Sequence, residues 1–194
     1  MRALLTFFVV WPIAVVAGTY EDGLRSLDRK SYGEAAAAFE VAAKQGNAAA
    51  ERQIAFMYYR GNGFAQDNSK AVSWFESAAT HGDLESQVNL GKLYENGLSV
   101  TQDDAKSAYW FRLAADQGDR RAQLRFGEIC YLGTGVTRDR AEAAKWWRLA
   151  TEPDDELSKG MREMIQSALA KLPARDAEEG LKRAAEWKAA RAAK

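Results

Sequence analysis

Few residues in this chain have the chemistry for a reaction. Histidine occurs once, as His81, and cysteine once, as Cys130. General acid–base work by an imidazole needs a partner within reach that orients the ring. A metal site needs several converging ligands, and His81 has no histidine or cysteine near it in sequence. His81 precedes a turn glycine in the same repeating position as Gln45 and Gln117, which suits an exposed residue at a helix end. Cys130 stands where Tyr58 and Tyr94 stand in earlier units. A nucleophilic thiol needs a lowered pKa and a nearby base, so Cys130 is expected to serve as a small buried hydrophobe. Trp74, Trp110 and Trp146 offer faces for sugar stacking, but recurrence in step assigns them to a core. The loops Gly61-Asn62-Gly63 and Gly133-Thr134-Gly135 follow helices and lack the lysine and strand of a phosphate cradle. No catalytic constellation, metal site or cofactor is expected.

The elements that carry these residues repeat. Written in blocks of 36, residues 47–82, 83–118 and 119–154 align without gaps. Ile54, Leu90 and Phe126 share a column, followed by Ala55, Gly91 and Gly127. Met57, Leu93 and Ile129 share another, beside Tyr58, Tyr94 and Cys130. Gly61, Gly97 and Gly133 align, as do Asp67, Asp103 and Asp139. Trp74, Trp110 and Trp146 follow, each before a second aromatic (Phe75, Phe111, Trp147), and Ala78, Ala114 and Ala150 close the pattern. Such a period is the mark of a repeat architecture. Each block reads as helix, loop, helix. Ile54, Met57 and Tyr58 have the spacing of one helical face, the glycines fit a left-handed stop, and the aspartates are placed to cap the second helix.

The run Trp110-Phe111-Arg112-Leu113-Ala114-Ala115-Asp116-Gln117-Gly118, leading into Ala122-Gln123-Leu124-Arg125-Phe126-Gly127, resembles the Sel-one-like repeat (SLR), a relative of the tetratricopeptide repeat. The likeness covers residues 47 to about 152. It implies an all-α fold, a right-handed α-solenoid of antiparallel helix pairs closed by C-terminal capping helices. Residues 18–46 look like a tetratricopeptide-like helix pair, with a first helix at about 20–29 and a second carrying Tyr32, Ala35, Phe39 and Ala43. At the other end Glu152-Pro153-Asp154 replaces the alanine-rich exit. Leu157, Met161, Met164, Ile165, Ala168, Leu169 and Leu172 then form an apolar stripe, expected to pack over the open end of the array. Residues 174–192 form a further helix with few large apolar residues, Leu181 and Trp187, expected to dock loosely.

Composition narrows the function. The chain has 194 residues, 47% hydrophobic and 28% charged, the balance of a folded soluble protein. Arg2 and the apolar run at 3–16, ending in Val15-Val16-Ala17, read as a secretory signal (residues 1–17) cleaved after Ala17. The run is shorter than the roughly 20 residues of a spanning helix, and an uncleaved anchor is the rival reading. This makes the protein periplasmic or secreted. Loss of Arg2 takes one from 27 basic residues and leaves a net charge of −1 against 27 acidic ones. No basic surplus for nucleic acid remains. With one cysteine there is no disulfide framework, so burial alone must hold the fold.

A solenoid offers an extended concave face built from first helices. The columns that change between blocks are those the core does not dictate. Arg52, Phe56, Tyr59, Arg60, Lys92, Glu95, Asn96, Glu128 and Tyr131 are therefore the expected partner-binding residues, with Val88, Leu124 and Leu132 in the same columns. Arginine with aromatics is the usual composition of binding hot spots. The resemblance implies a scaffold or adaptor that holds a protein or peptide in this groove. The alternative is a cell-wall or polysaccharide-associated binding protein, or an enzyme acting on glycans or β-lactams. Members of the latter kind carry a cysteine pair in each repeat, which this chain lacks.

Overall fold

The 36-residue period becomes a stack of helix pairs in the computed structural model, which describes residues 19–152 and 156–193. The expected signal segment, Pro153 and the side chains of Leu157 and Met161 lie outside the described residues. Ten helices follow one another among the described residues: α1 Tyr20–Asp28, α2 Tyr32–Lys44, α3 Ala48–Arg60, α4 Asn68–Thr80, α5 Leu84–Asn96, α6 Asp104–Asp116, α7 Arg120–Leu132, α8 Arg140–Thr151, α9 Glu156–Ala170 and α10 Ala174–Ala192. No strand occurs among the described residues. From α1 to α8 each helix packs on its neighbours in the chain, so the fold is an α-solenoid. No helix among the described residues is long and apolar enough to cross a membrane.

The helix ends are set by side chains. Asp67, Asp103 and Asp139 accept the backbone N–H of Lys70, Lys106 and Glu142 at 3.0, 2.9 and 2.9 Å, as expected of that column. The first helices have matching caps: Asn47, Asp83 and Asp119 accept from Ala50, Ser86 and Ala122 at 2.9, 2.8 and 2.7 Å. Each such bond satisfies a donor the helix leaves free and contributes about 1 kcal/mol. Gly61, Gly97 and Gly133 end α3, α5 and α7 with φ of 72, 65 and 79°, the left-handed region that a β-carbon opposes.

Within each repeat the core forms where a small residue on the first helix meets an aromatic on the second. Ala55 and Phe75 belong to one buried cluster. A β-carbon added to Gly91 would lie 2.9 Å from the Phe111 ring, and one on Gly127 2.5 Å from the indole of Trp147. The tryptophan column is packing, as its recurrence requires. Trp110 and Trp146 are buried, and Trp74 is half-buried between two core clusters. Trp146 meets Phe126 edge-on at 5.8 Å.

The C-terminal end differs from the expectation. The helix that closes the stack most closely is α10, not α9. It runs along α8 in the same direction. Gly180 rests on Ala141 and Ala144, Arg183 pairs with Asp139 at 2.8 Å and Glu142 at 3.3 Å, and Trp187 stacks edge-on to Trp146 at 5.9 Å. The scarcity of large apolar residues on α10 reflects close approach rather than loose docking, because small residues let two helix backbones come together. From α9, Ile165 is buried in the same core, with Ala168 and Leu169 beside it.

Helical propensity alone makes Gly→Ala stabilising by about 1 kcal/mol, but the indole at 2.5 Å reverses the sign for Gly127→Ala. That variant is expected to lose about 1–3 kcal/mol through overpacking. Adding Trp147→Phe, which recreates the Ala55–Phe75 arrangement, should recover most of the loss in urea unfolding. A stable single variant would show that Trp147 is not fixed.

Candidate partner-binding site

Three of the expected groove residues meet in one cleft of about 220 Å³, lined by α3, α4 and α5. Phe56 and Tyr59 come from α3, Ala71, Val72 and Phe75 from α4, and Asn89, Lys92 and Leu93 from α5. Phe56 stands edge-on to Phe75, centroids 5.1 Å apart. The Arg60 guanidinium lies 5.1 Å above the Phe56 ring, so Arg60 flanks the cleft through Phe56. Tyr59 is 48% exposed. The side-chain nitrogen of Asn89 is buried without a hydrogen-bond partner. Ser99, at the cleft's rim, holds a φ of 65° where Gly63 and Gly135 stand in the flanking repeats.

One repeat further, the same positions build a cleft of different character. Glu95 replaces Tyr59, Asp104 replaces Asn68, Ser107 replaces Ala71 and Arg125 replaces Asn89. Arg125 donates to Glu95 at 2.5 Å and also to Glu128, so these two expected residues are joined through a cation on α7. The third counterpart holds Tyr131 and Trp147, tilted rings 5.5 Å apart, with Met164 and Ala168 of α9.

The remaining expected residues are engaged within the protein. Arg52 ties α3 to the start of α5 through Asp83, 3.3 Å away without hydrogen-bond alignment, and through Glu85. Its side chain is 16% exposed. Asn96 donates to the Lys92 carbonyl of its own helix at 2.8 Å. Asn89 and Arg125 line clefts and were missed in the sequence, although their column, which begins with Gln53, changes from block to block like the columns chosen.

His81 has a partner that spacing did not reveal. Its Nδ1 lies 2.8 Å from Oε2 of Glu51, thirty residues upstream, and Ser77 donates to Oε1 of the same buried carboxylate at 2.8 Å. The next repeat has glutamines here: Gln117 donates to Gln87 at 2.8 Å, and Gln87 to the Ala79 carbonyl at 3.0 Å. The pair is thus a histidine–carboxylate version of a tie between repeats. In it the carboxylate lies between hydroxyl and imidazole, which is not the order of a nucleophile, a base and its orienting acid. The thiol of Cys130 is buried and pushed up to about 12, first by burial and then by Glu142 and Asp139. It is therefore a protonated thiol at neutral pH, not a nucleophile.

The model of the Sel1 repeat matches residues 48–83, 84–119 and 120–152, more than half of the sequence. The chain belongs to the Sel1 repeat family. The structure is similar to two solved Sel1-type proteins. One is c5321, described as a protective antigen of uropathogenic Escherichia coli with an SLR fold, at 36% identity and a TM-score of 0.66 over 77% of this chain. The other is a Sel1 repeat protein of Oxalobacter formigenes, at 28% identity and a TM-score of 0.64 over 72% of this chain. The matches span 33% and 58% of those chains, respectively. No curated protein matches this sequence. Proteins built of Sel1 repeats are typically protein-interaction scaffolds, and the family is generally of a non-enzymatic type.

Two outcomes follow for the polar positions. Cys130 should resist iodoacetamide between pH 7 and 10 in the folded protein and react once urea unfolds it. Labelling of the folded form at the rate of a free thiol would contradict its burial. Glu51→Gln combined with His81→Gln should keep the thermal midpoint by restoring the Gln87–Gln117 type of tie. Glu51→Ala, which strands Ser77 and opens a gap, should cost about 1–3 kcal/mol. Equal midpoints for all three proteins would mean the tie contributes nothing.

Proposed function

We propose that this protein is an exported interaction scaffold that holds a protein or peptide partner in the groove formed by its first helices. The observation that carries this reading is the cleft of Phe56, Tyr59, Val72, Phe75 and Lys92. It is an apolar, aromatic-walled recess, whereas the same positions one repeat further build a cleft lined by charged and polar side chains. Concave, mostly apolar recesses with a few polar groups are the usual form of a binding site, and aromatic and arginine side chains supply most of the energy at protein interfaces. The family's general role as a scaffold supports a protein partner over a small molecule. The segment at residues 1–17 supports export to the periplasm or outside the cell, as does the likeness to a protective antigen.

Phe56→Ala with Tyr59→Ala removes both aromatic walls of α3 and leaves the buried face of that helix intact. Affinity capture from native extract should recover a protein that the double variant loses by about tenfold or more, while circular dichroism stays unchanged. Retention on peptidoglycan or polysaccharide, with no protein sensitive to the two substitutions, would move the reading to a wall-associated binder.

A further inference from the structure

The walls of the first cleft carry information about what enters it. Among the described residues its lining includes no aspartate or glutamate. Lys92 projects from α5 one turn beyond Asn89, so the two share a face, and Arg60 flanks the cleft from α3 over Phe56. Neither Lys92 nor Arg60 has a carboxylate partner among the described residues. The buried side-chain nitrogen of Asn89 is a donor without an acceptor. A buried polar group left in this state costs free energy until an acceptor reaches it. The corresponding place in the next repeat shows the opposite arrangement. There Arg125 is taken up by Glu95 and Glu128, and Asp104 adds a further acid to the lining. Apolar rings, two uncompensated cations and a free amide donor thus coincide at one repeat and not at its neighbour.

We propose that this cleft receives a protein segment carrying a bulky apolar side chain flanked by carboxylates. The apolar side chain enters between Phe56, Val72, Phe75 and Leu93. A backbone carbonyl or carboxylate oxygen accepts from Asn89, and the flanking acids meet Lys92 and Arg60. The acidic wall of the second cleft sets the register, since a second acidic stretch there would face Glu95 and Asp104. The proposal rests on the scaffold reading above and specifies the chemistry of its partner.

The test uses the purified ¹⁵N-labelled protein and four probes. Three are blocked nine-residue peptides: one phenylalanine flanked by aspartates, the same peptide with lysines for the aspartates, and the aspartate peptide with serine for phenylalanine. The fourth is an oligouronate, an anion without an apolar side chain. The aspartate–phenylalanine peptide should shift the side-chain amide signals of Asn89 and the backbone signals of Phe56, Tyr59 and Val72, and should bind tightest of the four. Lys92→Glu, on an exposed helix face, should weaken that peptide about tenfold and strengthen the lysine peptide, as charge reversal at a rim requires. Equal binding of aspartate and lysine peptides, indifference to Lys92→Glu, or shifts produced only by the oligouronate would overturn the proposal. If partner capture is lost in the Phe56/Tyr59 double variant but the probes do not discriminate by charge, the groove stands and the acidic partner falls. If capture is also unaffected by the double variant, both readings fall.

Discussion

The structure depends on one volume constraint, repeated four times from Gly23 against Phe39 to Gly127 against Trp147. A first helix can lie against its second only if the residue at the crossing is small enough to admit the aromatic that faces it. The match is graded: alanine meets phenylalanine at Ala55 and Phe75, while glycine meets phenylalanine at Gly91 and the larger indole at Gly127. Interiors packed to crystal-like density leave little room to vary either partner alone. Once this crossing is set, the pitch of the stack follows, and with it the spacing at which caps, stops and inter-repeat ties recur. The paired Asx caps and the tie from Gln87 to Ala79 are consequences of that pitch rather than independent supports.

Because the crossing and its neighbours leave so little freedom, variation is confined to the positions between repeats, and there the three clefts diverge. A single position, Asn89 in the first cleft and Arg125 in the second, carries much of the difference between those two. As asparagine it leaves a donor facing a recess; as arginine it draws two carboxylates together across the opening. A regular scaffold can in this way present non-equivalent recesses at a fixed interval. That is how a repeat array acquires specificity without altering its core.

Much of this was legible in the sequence. Period, glycine stops, the Asp67 column of caps and the burial of Trp110 and Trp146 all follow from local chemistry repeated in step. What was not legible depends on the superhelical geometry, which no single repeat encodes. Arg52 was chosen as a groove residue from its variable column, yet the turn between repeats brings Asp83 and Glu85 to it. Glu51 and His81 are distant in sequence and adjacent in space for the same reason. The docking of α10 escaped because its contacts come largely from Gly180, Ala184 and the guanidinium of Arg183, residues that carry no hydrophobic stripe. Asn89 was passed over because its column reads as polar surface until the neighbouring helices close around it.

The seat of α10 reaches beyond α8. Trp187 and Arg191 both contact Asp116 at the end of α6, the indole nitrogen at 3.4 Å and the guanidinium through the backbone carbonyl. A linear array whose units touch only their neighbours frays from either end, unit by unit. A clasp that grips the last unit and the one before it removes that freedom at the C-terminal side, since α8 cannot detach while α10 still holds α6. At the N-terminal side α1 packs on α2, and α2 on α3. The second cleft, built on α5, α6 and α7, therefore shares α6 with this anchored end, whereas the first cleft, on α3, α4 and α5, lies a repeat further from it.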